Sequence, residues 1–251
     1  MPSFHHGPVE ISYLDTQGSG EPIVLVHGFG STKEVNWVNP GWVETLTRAG
    51  RRVIALDNRG HGESAKLYKP EQYDRADMAE DVRALMDHLR IERADVMGYS
   101  MGARITTNLA IAHQDRMRAA ILGGIGVRLV TGGGLPEPIA QALETDEPGE
   151  ITDVQGIMFR RFADQTKSDR LALAACLRGG GPALTRAEVA TIKIPVLIAV
   201  GTKDTIAGSP QELSALIPGS QVLAIPDRDH MIAVGDKVYK SGVAKFLQER
   251  P

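Results

Sequence analysis

The run Ala94-Asp-Val-Met97 passes directly into Gly98-Tyr99-Ser100-Met101-Gly102, and a segment with helical spacing carries on to His113. The first four residues read as a strand buried on both faces, because they are continuously apolar apart from Asp95. A strand that turns straight into a helix through G-x-S-x-G places its serine on a tight, strained corner, where side chains on the flanking residues would meet neighbouring backbone. The corner presents the hydroxyl at a helix N-terminus, which favours developing negative charge. The plain alternative is a serine that only caps the helix. The buried-type strand before it and the helix after it favour the first reading.

Working outward, the apolar runs Ile23–Val26, Arg52–Leu56, Ala119–Leu122, Pro195–Val200 and Gln221–Ile225 read as further strands. Helical segments separate them. Ala76–Leu89 places Met78, Val82, Leu85, Met86 and Leu89 on one stripe, and Ser100–His113 and Asp236–Gln248 follow the same period. Strands alternating with helices predict an α/β fold: a mostly parallel central sheet flanked by helices. Ile11 and Tyr13 are expected to pair antiparallel with the strand from Ile23, through a turn at Asp15–Glu21. From Gly126 to Ala187 no strand is convincing. Glycine runs bound this region at Gly132–Gly134 and Gly179–Gly181, and helical pieces are expected near Pro138–Glu144, Val154–Phe162 and Asp169–Leu177. The expected organisation is a core of residues 1–125 and 188–251 with a small helical cap insert, 126–187.

Composition narrows the functions. A length of 251 residues suits one α/β domain with a small insert. The net charge of -3 argues against nucleic acid or an anionic membrane as partner. With the single cysteine, Cys176, no intramolecular disulfide can form, and its place on an insert helix suggests buried packing. Met1–Glu10 has neither an apolar run nor Lys or Arg, so no secretory signal is expected, nor is any membrane span; a cytoplasmic location is the expectation. There is no H-E-x-x-H and no G-x-x-x-x-G-K, so neither a metal nor a nucleotide cofactor is expected.

A serine hydroxyl is a poor nucleophile until a base takes its proton. Of seven histidines, His5 and His6 lie in a terminus expected to be mobile. His88 falls late on a helix and reads as solvated, and His113 ends the helix that begins at Ser100, about 20 Å along its axis. His27 and His61 precede the serine in glycine-flanked loops. His230 remains, in the polar loop after Gln221–Ile225, where a strand ends and function collects. Its orienting carboxylate should fall between Ser100 and His230 in the chain. Asp204 meets this in the loop after Pro195–Val200, whereas Asp227 and Asp229 are too near His230 in sequence for an obvious approach to its ring. Oxyanion donors are expected from the backbone N–H of Met101, after the serine, and of Phe29, in His27-Gly28-Phe29-Gly30.

With these pieces in order the chain resembles the α/β-hydrolase superfamily over nearly its whole length. The matching segments are His27–Gly30, Asp57-Asn-Arg-Gly-His-Gly-Glu-Ser64, Gly98–Gly102, Asp204 and His230. The resemblance implies that Asp57, Arg59 and His61 shape loops under the site, and that chemistry proceeds in two steps through an acyl-enzyme. Relatives that open epoxides or remove halides carry aspartate at the turn; Ser100 argues against both activities.

The expected activity is hydrolysis of a small carboxylic ester by Ser100, His230 and Asp204. The same residues could serve a lactonase, a thioesterase, a carbon–carbon bond hydrolase or an acyl transferase, or a slow-turnover ligand receptor on a hydrolase core. The expected partner is a small-molecule ester or acyl substrate. Its pocket should lie between sheet and insert, lined by Phe29, Trp37, Met101, Met158 and Phe162. Oligomeric state is not legible in the sequence.

Overall fold

The computed structural model describes residues 1–132 and 135–250. Eight strands form one sheet: β1 (Ser3–His6), β2 (Val9–Asp15), β3 (Pro22–Val26), β4 (Arg52–Leu56), β5 (Ala94–Tyr99), β6 (Met117–Gly123), β7 (Val196–Gly201) and β8 (Gln221–Ile225). Their order is β1-β2-β4-β3-β5-β6-β7-β8. From β4 to β8 every pairing is parallel. Ten α-helices are present among the described residues. The longest are α2 (Arg75–His88), α3 (Met101–Ala112), α6 (Val154–Gln165) and α10 (Lys237–Glu249). Around them lie α1 (Trp42–Arg48), α4 (Arg128–Thr131), α5 (Glu137–Glu144), α7 (Arg170–Arg178), α8 (Arg186–Val189) and α9 (Pro210–Ser214).

Strand alternation divides the core. Val24 and Val26 face one apolar layer with α2 and α3, while Ile23 and Leu25 face another with Trp42 of α1 and Tyr239, Val243 and Phe246 of α10. On α2, Met78, Val82, Leu85 and Met86 are buried along one stripe, each contributing about 1.5–3 kcal/mol of transfer free energy. Asp74 caps that helix by accepting the Ala76 N–H.

Two expectations at the N-terminus are corrected. β2 does not pair with β3; it pairs antiparallel with β4, Tyr13 opposite Leu56. Both edges of β3 are taken by parallel neighbours, which leaves no site for a hairpin partner. The terminus holding His5 and His6 is strand β1, joined to β2 through the two-residue turn Gly7–Pro8 with Gly7 at φ +57°. His6 Nδ1 lies 2.8 Å from Asp81 Oδ1.

Between β6 and β7 the described residues form helices α4 to α8 and no strand. Gly133 and Gly134, in the glycine run read as opening the insert, lie outside the described residues. α8 crosses the expected boundary at residue 187, and its Val189 is fully buried in the core. No helix among the described residues is long and apolar enough to cross a membrane.

Candidate active site

The elbow after β5 is strained at one residue. Ser100 has φ 55° and ψ -111°, a region costing about 1–3 kcal/mol for a non-glycine residue. The turn is held because Ser100 N–H donates to Gly123 O at 2.8 Å and Arg104 N–H donates to Ser100 O at 3.2 Å. A Cβ on Gly98 would run into the Gly102 carbonyl, and one on Gly102 into the Val26 carbonyl, so strand, turn and helix close on one another only with both glycines. Ser100 occupies the N-cap position without capping; its side chain makes no bond to the helix.

The hydroxyl instead points to His230. Ser100 Oγ lies 2.9 Å from His230 Nε2, and His230 Nδ1 lies 2.7 Å from Asp204 Oδ2. An ionised carboxylate only accepts, so the ring proton sits on Nδ1 and leaves Nε2 free to accept from the serine. The other Asp204 oxygen accepts the N–H groups of Ile206 at 2.8 Å and Ala207 at 2.9 Å. Burial works against the Asp204 charge, but the His230 bond and these two amides outweigh it and hold the carboxyl below its ordinary range. The structure thus brings Ser100, His230 and Asp204 together from the carboxyl ends of β5, β8 and β7.

The loop carrying His230 is shaped by its neighbours. Asp229 Oδ1 accepts the Met231 and Ile232 N–H groups, and Asp227 stands at φ 56° with its N–H on Thr202 Oγ1. Tyr99 Oη donates to the His230 carbonyl at 2.6 Å. Sequence reasoning missed Tyr99, although as the residue before the serine on a buried strand it had to face a packed layer.

Neither Phe29 N–H nor Met101 N–H has an acceptor among the described residues. The loop bearing Phe29 is pinned on both sides of that N–H. Gly28 N–H donates to Asn36 Oδ1 at 2.8 Å, from the π-helical turn Glu34–Val38, and Ser31 N–H donates to Gly28 O. His27 Nε2 accepts the Asn58 N–H, so its Nδ1–H donates to Gly28 O at 2.8 Å. Burial lowers the pKa of His27 despite the Asp57 charge, and burial takes His61 down to about 3. Both rings are neutral packing groups, 5.1 Å apart between centroids, with Phe29 against His61.

Beneath this loop Asp57 and Lys33 form a fully buried ion pair, Nζ to Oδ2 at 2.6 Å. Asp57 also accepts the Lys33 and Glu63 N–H groups. Arg59 is bidentate to Asp81 on α2, both bonds 2.7 Å.

Two cavities meet at Ser100. The larger, about 460 Å³, is lined by Phe29 and Met101 and by Arg75, Arg104 and Arg128. The smaller, about 120 Å³, is lined by Phe29, Phe159, Phe162 and His230. Of the expected pocket residues, Phe29, Met101 and Phe162 line these spaces; Trp37 and Met158 do not. Trp37 is fully buried on the opposite face of the sheet, edge-on to Trp42 at 6.2 Å. Met158 is turned from the cavities and packs on the core. Cys176 is buried beside Met101, and burial takes its thiol up to about 12, which fits packing. The three arginines were missed. Arg104 alone was within reach of sequence reasoning, since it follows Ser100 by four residues on one helix face.

Comparison with known proteins agrees with this architecture. The profile of the family described as alpha/beta hydrolase fold matches residues 21–147, half of the chain. A Pseudomonas putida protein named dihydrolipoyllysine-residue acetyltransferase component of acetoin cleaving system is 31% identical over 227 residues, 85% of this chain; the chain spans 59% of that protein's length. Among solved structures, the enol-lactonase from Burkholderia xenovorans superposes with a TM-score of 0.77 at 27% identity, covering 99% of this chain and 100% of its own. A thermophilic esterase from Thermogutta terrifontis gives a TM-score of 0.77 at 25% identity, covering 96% and 94%. By profile, sheet order and strand–turn–helix elbow alike, this chain belongs to the alpha/beta hydrolase family.

Proposed function

We propose that this protein is a serine hydrolase that cleaves a small carboxylic ester, open or cyclic, through an acyl-enzyme. The observation that carries the reading is the continuous relay from Ser100 Oγ to His230 to Asp204, with two backbone N–H groups left without acceptors beside it. Ser100 attacks the carbonyl carbon while His230 Nε2 takes its proton. Asp204 stabilises the imidazolium formed, and the Phe29 and Met101 N–H groups hold the oxyanion. His230 then gives its proton to the leaving oxygen. A water deprotonated by His230 releases the acid and restores Ser100. The likeness to an enol-lactonase along the whole chain supports including cyclic esters among the substrates.

Rapid mixing with p-nitrophenyl acetate and butyrate tests this reading. It predicts a burst of nitrophenol equivalent to one per active site, and a quenched protein heavier by one acyl group on the Ser100 peptide. Turnover without an acyl-protein, or an acyl group on another residue, contradicts it.

A further inference from the structure

The larger cavity beside Ser100 holds three arginines, Arg75, Arg104 and Arg128, and no Asp or Glu lines it among the described residues. Elsewhere arginines find carboxylates: Arg59 pairs with Asp81, and Arg178 with Glu137 and Glu144. In the cavity Arg75 donates to the Gly180 and Gly181 carbonyls and Arg104 to the Arg128 carbonyl at 2.9 Å. Arg75 Nε is buried with no partner. Asp74, next to Arg75 in sequence, is turned to the Ala76 N–H. Burial drives the Arg104 pKa down to about 10, and repulsion from Arg75 and Arg128 adds to the drop. The guanidinium still carries its charge near neutrality. Two part-buried guanidinium groups, Arg75 and Arg104, with the exposed Arg128 beside them and Asp74 as the nearby counter-charge of Arg75, leave positive charge that an anion would complete. The planar guanidinium matches a carboxylate in two-pronged bonding.

The position of the cluster says which part of the substrate is charged. His230 lines the smaller cavity and not the larger. Since His230 must reach the leaving oxygen, the alcohol side occupies the smaller space and the acyl chain extends into the larger. Arg104 stands one helical turn past Ser100 on the same face of α3, about 5–6 Å along the axis. The apolar lining of the same cavity, with Met78, Ile125 and Leu177, suits a short methylene chain.

We propose that the substrate is an ester or lactone whose acyl part carries a carboxylate, bound by Arg75, Arg104 and Arg128. This rests on the hydrolase reading above. Hydrolysis breaks the acyl carbon–oxygen bond; water supplies hydroxide to the acyl carbon and a proton to the alcohol, so the product is a dicarboxylate.

The test pairs the methyl half-esters of glutaric, adipic and pimelic acid with the methyl esters of the corresponding terminal amides, followed by proton release at constant pH. The expected result is a kcat/KM at least tenfold higher for the acid of at least one pair. Arg104→Gln should collapse that ratio towards one and Arg104→Lys restore part of it. Should Arg104→Gln fail to fold, the exposed Arg128→Gln gives the same readout, with a ratio lowered several-fold. Fluorophosphonate labelling of Ser100 reports separately on the hydrolase reading. Full labelling with equal rates for acid and amide in every pair, or a ratio unmoved by the arginine variants, overturns the anion site alone. Absence of labelling overturns the hydrolase reading and this proposal with it.

Discussion

At the scale of single residues, the site depends on groups that differ in how directly they act. Asp204 is proposed to fix the His230 tautomer, so Asp204→Asn should keep the fold and lower kcat by about 10³–10⁴-fold. Steady-state kinetics on p-nitrophenyl butyrate beside a circular dichroism spectrum check this; a loss under tenfold would assign the orienting role elsewhere. Tyr99 acts through the backbone. Tyr99→Phe removes the donor to the His230 carbonyl and leaves a buried acceptor unmet, costing about 1–3 kcal/mol of stability. Its expected signature is a lower urea midpoint with kcat falling more than KM changes, since the displaced group is His230. Ser100, His230, Asp204, Phe29 and Met101 were legible because each stands at a strand end, where chain order and local spacing limit the choices. Tyr99 and Asn36 were not, because they act by bonding to backbone across 131 and 8 residues respectively, and no residue type announces such a bond. Trp37 was misread because a large aromatic near a glycine loop suits a pocket wall as well as a core; the π-helical turn Glu34–Val38 carries it to the far face of the sheet.

At the scale of elements, the loops under the site are tied by the Lys33–Asp57 pair. Asp57→Ala leaves the buried Lys33 ammonium with only the Glu34 and Glu63 carboxylates, both at 3.3 Å, and frees the N–H groups of Lys33 and Glu63, so a loss of about 3 kcal/mol is expected. Replacing both partners by apolar residues should recover part of it. Urea unfolding of the single and double variants checks both statements; a single variant within 1 kcal/mol of the parent would show that the pair does not hold the loops. The central strands were legible because parallel strands covered on both faces read as unbroken apolar runs, and β4, buried from Val53 to Leu56, coincides with the run Arg52–Leu56. The β1–β2 edge was not. β1 has one strongly apolar residue, Phe4, facing inward, and two histidines; its pairing with β2 depends on a turn and on stacking of Phe4 against His88. The pairing of β2 with β4 is a non-local choice, made once β3 is enclosed by β4 and β5.

At the scale of the whole molecule, two neutral histidines buried beneath the site couple stability to pH. The His61 pKa falls from 6.5 to about 3 on folding and that of His27 is also lowered, so the unfolded chain binds protons that the folded chain refuses. The His61 contribution is therefore complete above about 6.5 and is lost as pH falls from there towards about 3, by about 1.4 kcal/mol per pH unit, and His27 adds a loss in the same direction. Urea midpoints at several values between pH 7.5 and 4.5 should decline over that range; a flat series would show that these rings are not held neutral. The parallel sheet gathers the ends of β3, β5, β6, β7 and β8 on one side, which is why five separate sequence segments converge on one serine. Fluorophosphonate labelling read by peptide mass spectrometry reports whether that convergence activates Ser100. Stoichiometric labelling is expected at Ser100, strongly slowed by His230→Gln and absent in Ser100→Ala. No labelling at Ser100 in the folded wild-type protein, or the same labelling rate after His230→Gln, would contradict it.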